Sequence, residues 1–127
     1  MTTIAVVEDN ADNRLLLQAI LDGRYDLVEY ENGVDALAGL AASTPDLVLL
    51  DISLPGMDGN EILARIRADG ELRKLPVIAL TAHAMSGDRE KYLAAGFNDY
   101  ITKPIVDETI LLAAIERWLL TTRSGSV

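Results

Sequence analysis

Apolar residues along the chain fall into two alternating kinds of segment. Short runs rich in β-branched residues occur at Ile4-Ala5-Val6-Val7, Leu27-Val28-Glu29-Tyr30, Leu47-Val48-Leu49-Leu50, Val77-Ile78-Ala79-Leu80 and Tyr100-Ile101-Thr102. Between and after them lie Ala11 to Leu21, Gly33 to Ala42, Asn60 to Ala68, Arg89 to Ala95 and Glu108 to Leu120, each with an apolar stripe at three-and-four spacing. The alternation predicts an α/β fold of five strands, β1 to β5, and five helices, α1 to α5, in chain order. The first, third and fourth runs are apolar without a break, as strands covered on both faces by helices must be. The two more polar runs suit the edges. Right-handed crossovers then give a doubly wound parallel sheet, most simply in the order 2-1-3-4-5.

Punctuation supports these boundaries. Asn10 and Asn32 stand where helix caps belong, Pro45 and Pro76 precede strands, and Gly96 sits at a helix-ending position. The chain reads as one domain over residues 1–121, with a short polar tail from Thr122 to Val127 that is expected to fray. No repeat, low-complexity segment or interdomain linker interrupts it.

Composition narrows the function classes. Half of the 127 residues are hydrophobic, enough for one real core and too few for a second folded domain. The net charge of -9 repels nucleic-acid phosphates and anionic head groups, so neither nucleic acid nor membrane is an expected partner. The absence of cysteine removes disulfides, zinc-thiolate sites and thiol catalysis. No apolar run approaches the roughly 20 residues needed to span a bilayer, and Met1 to Val7 is too short for a signal peptide. A cytoplasmic location is the default.

The chemistry gathers at the strand ends. All five parallel strands finish on one edge, which carries Glu8 and Asp9 after β1, Asp51 after β3, Thr81 after β4 and Lys103 after β5. Strand β2 offers nothing comparable. The crevice of such a sheet opens at the switch point between β1 and β3, where the three acids fall. Three converging carboxylates repel one another unless a cation sits among them, and an all-oxygen set with one His and no Cys in the chain suits Mg²⁺ or Mn²⁺ over zinc. Magnesium held by a few carboxylates usually also holds phosphate. Lys103 can then meet phosphoryl oxygens, the Thr81 hydroxyl can hydrogen-bond another, and Asp51 remains as a carboxylate nucleophile able to form an acyl phosphate.

Four motifs in order carry a resemblance that spans about Thr3 to Leu120. They are Val7-Glu8-Asp9-Asn10 with Asn13, Leu50-Asp51-Ile52-Ser53-Leu54-Pro55-Gly56-Met57-Asp58-Gly59, Leu80-Thr81-Ala82-His83-Ala84, and Asp99-Tyr100-Ile101-Thr102-Lys103-Pro104-Ile105. The sequence resembles the receiver domains of two-component response regulators. The resemblance implies Asp51 as phosphoacceptor, Glu8 and Asp9 as metal ligands with Asp51, a metal-binding backbone carbonyl from Ser53, Lys103 as the phosphoryl-binding lysine, Thr81 and Tyr100 as a switch pair, and a cis peptide bond at Pro104. It also implies a phosphodonor partner, either a histidine kinase or a histidine phosphotransfer protein, and a downstream protein target. The Glu8-Asp9-Asn10 opening, Thr81-Ala82-His83-Ala84-Met85 and Gly87-Asp88 are similar to receivers of hybrid kinases and of stand-alone phosphorelay and cell-cycle proteins. No residue of the family pattern is missing.

Several residues carry a blander alternative. His83 reads better as a rim residue tuning water access than as a phosphohistidine or metal ligand, and Ser53 flanks the same water path. Tyr100 could be only a half-buried strand aromatic. The last helix has more apolar residues than one buried face needs, which fits either a docking or weak homodimer surface on an otherwise monomeric protein, or deeper packing. Leu15 and Leu16, beside Asn13, could meet the phosphodonor.

Rival functions fit less well. A haloacid-dehalogenase type of phosphatase wants a second Asp two residues after the nucleophile, where this chain has Ser53. A flavodoxin-like cofactor binder shares the sheet order but needs a Ser, Thr and Gly-rich first loop, and Glu8 and Asp9 would repel the flavin phosphate. There is no P-loop and no dinucleotide glycine fingerprint. A phosphorylation-independent interaction module would not need the complete set of acids and lysine. The expected protein is a signalling switch rather than a turnover enzyme, passing its state on by protein contact.

Overall fold

The computed structural model describes residues 2–54, 56–82, 88–103, 105 and 107–125, with backbone alone for residues 88 and 121–125. Five parallel strands, β1 (Thr3–Val7), β2 (Asp26–Tyr30), β3 (Leu47–Asp51), β4 (Val77–Thr81) and β5 (Asp99–Thr102), form one sheet in the order β2-β1-β3-β4-β5. The expected order is the observed one, with the two polar runs at the edges. Registers such as Val7 beside Leu50 and Asp51 beside Leu80 bring the ends of β1, β3 and β4 level with one another.

Period-two alternation sends strand side chains to two separate cores. Val7, Val48, Leu50, Val77 and Ala79 pack with Ala36 and Leu40 of α2 (Gly33–Ala42), Ile62 and Ile66 of α3 (Gly59–Ala68), and Tyr92 of α4 (Asp88–Ala95). Ile4, Val6, Leu47, Leu49, Ile78 and Leu80 pack with Leu17 and Leu21 of α1 (Ala11–Leu21) and with Leu111, Ile115 and Leu119 of α5 (Glu108–Gly125). Strands β3 and β4 are buried throughout, which is why they read as unbroken apolar runs.

The helix starts follow their caps. Asn10 and Asn32 accept hydrogen bonds from the backbone N–H of Asn13 and Asp35, and Asp58 does the same for Glu61 at the start of α3. Gly96, with φ +116°, closes α4 in a conformation that L side chains rarely adopt. Gly59 serves a different purpose, because a Cβ there would stand 2.7 Å from the Asp51 carbonyl oxygen and 2.8 Å from Ile52 Cα. Only glycine lets α3 start directly against the end of β3.

Most element ends fall within one residue of those expected, and one differs by more. Helix α5 does not stop at Leu120 but runs to Gly125, so most of the segment expected to fray is helical. Once a helix is nucleated each further residue adds a bond, and Thr121, Thr122 and Arg123 are weak or ordinary helix formers rather than breakers. Most of this helix's apolar excess is packed deeply: Leu111, Ala114, Ile115 and Leu119 are buried, and Leu112 and Trp118 partly so. Ile110 and Leu120 remain exposed. Among the described residues, no helix is long and apolar enough to cross a membrane.

Candidate phosphoacceptor site

The site forms where β1, β3 and β5 end. Asp51 is the last residue of β3 and is buried, with one carboxylate oxygen, Oδ1, accepting from the Ser53 N–H at 3.0 Å. Glu8, one residue beyond β1, is wholly buried, while Asp9 beside it is exposed. Carboxylate oxygens of Glu8, Asp9 and Asp51 lie within 4.8 Å of one another. Lys103 reaches in from the end of β5, its Nζ 3.2 Å from both Glu8 Oε1 and Asp51 Oδ2. Its backbone N–H donates to the Thr81 carbonyl at 2.7 Å, which ties the lysine to the end of β4.

The loop after β1 is held from α1 and β2. Asn13 Nδ2 donates to Glu8 Oε1 at 2.5 Å, and Arg14 donates to the Glu8 carbonyl at 2.8 Å while pairing with Glu31 at 3.1 Å. The Glu8 N–H in turn donates to the Tyr30 carbonyl at 3.0 Å. Thus β2 and the residue after it do contribute, by positioning Glu8. Arg14 carries no recognisable sequence signal beyond being a cation in the first turn of α1, where the helix dipole disfavours one.

Thr81 is buried, and its hydroxyl forms a 2.9 Å hydrogen bond with the Tyr92 hydroxyl. Tyr100 is half-buried, and its ring packs against that of Tyr92 with centroids 5.6 Å apart. Ser53 is exposed at the mouth. His83 and Pro104, together with the motif residues Pro55 and Ala84, lie outside the described residues. Tyr92 is not marked out by the sequence, although it falls on the inward face of α4.

Electrostatics separate the carboxyl groups. Burial, reinforced by a hydrogen bond and by repulsion from Asp51, pushes Glu8 up to about 7 against the help of Asn13 and Lys103. Asp51 is also penalised by burial, but its hydrogen bonds to Glu8 and the Ser53 N–H, and the Lys103 charge, hold it below the ordinary carboxylate range. Burial works against the Lys103 charge as well, and Asp51 and Glu8 overcome it to raise the lysine. Near neutrality and without metal, Asp51 is therefore ionised, Lys103 is charged, and Glu8 holds its proton to higher pH than an ordinary carboxylate.

These residues fit a hard divalent cation. Every side-chain donor is oxygen, and Glu8 Oε2 is buried with no hydrogen-bond donor among the described residues. Such an atom is costly to leave bare and would be satisfied by a metal.

Without metal, the protein should lose stability as the pH rises. Glu8 ionises with more difficulty folded than unfolded, so its contribution is complete below about pH 4.5 and is lost as pH rises through about 7. Asp51, shifted down, acts only at lower pH, and Lys103, shifted up, only at higher pH. With EDTA present, stability should fall by on the order of 2–3 kcal/mol between about pH 5 and pH 8. Glu8→Gln should flatten that slope, and Mg²⁺ should restore the wild type at pH 8. Thermal melts across this range check it; equal slopes for the two proteins would contradict it.

Comparison with known proteins places the fold in a class. The family model of the response regulator receiver domain matches residues 4–116. The polar-differentiation response regulator DivK of Brucella anthropi is 40% identical over 104 residues, covering 81% of this chain and 85% of that protein. The sensor protein GacS of Pseudomonas syringae is 39% identical over 119 residues, 91% of this chain but only 13% of the sensor's length. Among solved structures, the receiver domain of a Pseudomonas aeruginosa sensor histidine kinase, with a magnesium ion coordinated in its active site cleft, superposes with a TM-score of 0.83 at 37% identity, covering 93% of this chain and 97% of that one. The chain belongs to the response regulator receiver domain family. It is similar both to a DivK-type regulator and to the receivers of sensor kinases.

Proposed function

We propose that this receiver domain takes a phosphoryl group onto Asp51 from a phosphohistidine of a kinase or phosphotransfer protein and signals by phosphorylation-dependent protein contact. The observation that carries the reading is the convergence of an ionised, buried Asp51 with Lys103 on one side and Glu8 and Asp9 on the other. The Asp51 carboxylate attacks phosphorus as the bond to the donor imidazole breaks, and the electron pair leaves with that nitrogen. Lys103 meets the charge on the phosphoryl oxygens, and the Thr81 hydroxyl donates to another of them. Glu8, Asp9, Asp51 and the Ser53 carbonyl would hold Mg²⁺ or Mn²⁺. When bound, that ion neutralises phosphoryl charge that the carboxylates would otherwise repel.

Phosphorylation adds a charge of roughly -1.5 to -2. Thr81 is drawn towards it and Tyr100 moves in turn, which alters the surface of α4, β5 and α5. His83 and Ser53 flank the path of hydrolytic water and tune the lifetime of the acyl phosphate. The protein acts in the cytoplasm as a relay or switch, not as a turnover enzyme.

Acetyl phosphate supplies the test. With Mg²⁺, intact mass should show one added phosphoryl group per chain, and with EDTA none. A chain that gains no phosphoryl mass in Mg²⁺ would sink the proposal.

The donor surface is testable separately. Leu15 and Leu16 on α1 are exposed, at 60% and 39%, two and three residues after Asn13, and Leu16 lines a small cavity together with Asn13 and Glu8. Apolar side chains so exposed beside the site suit docking of a phosphodonor helix. Leu15→Glu with Leu16→Glu should slow transfer from a phosphohistidine protein at least tenfold while leaving uptake from acetyl phosphate unchanged. Unaltered transfer rates would place the donor elsewhere.

A further inference from the structure

We propose that Tyr92 is a third member of the switch: its hydroxyl latches Thr81 in the resting state, and its ring links Thr81 to Tyr100. The inference rests on the reading of Asp51 as phosphoacceptor and adds a positioning residue that sets how readily the phosphorylated state is reached.

The geometry singles out Tyr92 because it touches both switch candidates. Its hydroxyl lies 2.9 Å from Thr81 Oγ1, in a bond where both residues are buried. Its ring lies tilted at 37° against Tyr100 and edge-on to Phe97, with centroids 6.0 Å apart at 84°. Phe97 is buried in the same core and holds one side of the ring. Tyr100 also packs against the ring. The Tyr92 side chain is thus fixed by packing, and its hydroxyl is aimed at the group that must move.

A hydroxyl has one proton to give. Either hydroxyl can donate in this bond. Where Thr81 donates, it must withdraw its proton from Tyr92 to reach a phosphoryl oxygen on Asp51; where Tyr92 donates, the shift of Thr81 towards that oxygen draws the acceptor away. Because the Thr81–Tyr92 bond is made in the resting state and broken in the phosphorylated one, it favours rest by the net worth of a buried neutral hydrogen bond, equivalent to about three- to tenfold in an equilibrium constant. The same movement takes this one bond from the Tyr92 hydroxyl and changes the surface on which the Tyr100 ring lies. Receivers with an apolar residue at the equivalent of Tyr92 would lack this latch.

Tyr92→Phe deletes the hydroxyl and keeps the ring, so the contacts with Phe97 and Tyr100 survive and folding is not at stake; thermal melts check this. Beryllofluoride with Mg²⁺ serves as the stand-in for the phosphoryl group, and its affinity is measured by calorimetry for wild type, Tyr92→Phe, Thr81→Ala and the double variant. Tyr92→Phe should bind about three- to tenfold more tightly than wild type, and the same change in the Thr81→Ala background should have no effect. A purely structural hydroxyl would alter the melting temperature but leave this coupling at zero. Unchanged or weaker binding by Tyr92→Phe, or an equal gain with and without the Thr81 hydroxyl, would overturn the latch. Acetyl-phosphate uptake by the wild type is measured in parallel: if it fails, the functional reading falls, whereas normal uptake with a flat cycle refutes the latch alone.

Discussion

Replacing Asp51 by Asn is expected to abolish phosphoryl uptake from acetyl phosphate while leaving the fold intact. The amide keeps the size of the carboxylate, and its oxygen can still accept from the Ser53 N–H. What it loses is the negative charge and the nucleophilicity that the proposed attack on phosphorus needs, and no other carboxylate of the cluster shares the contacts of Asp51 with both Ser53 and Lys103. Uptake should drop below about one hundredth of the wild-type level, a change of more than about 2.7 kcal/mol in the barrier. The variant should also be at least as stable as wild type near pH 7. Asp51 is a source of the upward push on Glu8, and its removal lets Glu8 ionise more easily beside Lys103. Intact-mass measurement and a thermal melt on the same sample read both effects. Equal uptake by Asp51→Asn would move the nucleophile elsewhere and end the proposed mechanism.

The largest effect on stability is expected at Arg67, far from Asp51. At the end of α3 its guanidinium donates to the Gly96 carbonyl through Nε at 3.0 Å and Nη2 at 2.8 Å, to the Arg73 and Leu75 carbonyls at 2.9 and 2.7 Å, and to Asn98 Oδ1 at 2.9 Å. The same Asn98 oxygen accepts from the Val77 N–H at the start of β4. One side chain therefore closes α3, the connection to β4 and the turn after α4 together. Burial lowers the Arg67 pKa, as desolvation of a cation must, and dense hydrogen bonding offsets the penalty.

Arg67→Ala would take the guanidinium from the partly buried Gly96 and Leu75 carbonyls and open the clamp, at a cost of about 3–5 kcal/mol. Arg67→Lys should recover little, because an ammonium cannot reproduce the planar fork. Urea unfolding measures both. Phosphoryl uptake by the folded fraction should stay near normal, since these contacts lie at the edge of the sheet where the strands begin, opposite Asp51. A loss below about 1 kcal/mol for Arg67→Ala would show the clamp to be dispensable.

Much of the molecule is legible in the chain. Leu47 to Leu50 and Val77 to Leu80 announce central strands because burial on both faces removes any reason for polar alternation. Asn10, Asn32 and Gly96 mark helix ends because caps and left-handed turns need particular residue types. Glu8, Asp9, Asp51 and Lys103 can be brought together from sequence because parallel strands in a doubly wound sheet must end on one edge.

Other features carry no such mark. Arg14, Arg67 and Tyr92 are ordinary residues for helix surfaces, and their spacing says nothing about which carbonyl or hydroxyl they will meet across the fold. Asp99 is similar: it is buried at the start of β5, where Trp118 Nε1 donates to it at 3.1 Å and Arg89 and Arg117 lie 3.6 and 3.7 Å away. Nothing in Asp99-Tyr100 foretells partners from both α4 and α5. The end of α5 escapes sequence reading for the opposite reason: Leu120 ends the apolar pattern, but backbone bonding carries the helix on to Gly125.

The sequence by itself determined the sheet, its strand order and the edge on which the acids gather, because periodicity and chain connectivity are local or topological constraints. Tertiary structure alone decided that Glu8 is fully buried with one oxygen lacking a donor among the described residues, that Lys103 lies equally near Glu8 and Asp51, and that the Thr81 hydroxyl meets Tyr92. Those outcomes depend on distances of a few ångströms and on desolvation. Both arise only when segments distant in sequence pack and exclude water.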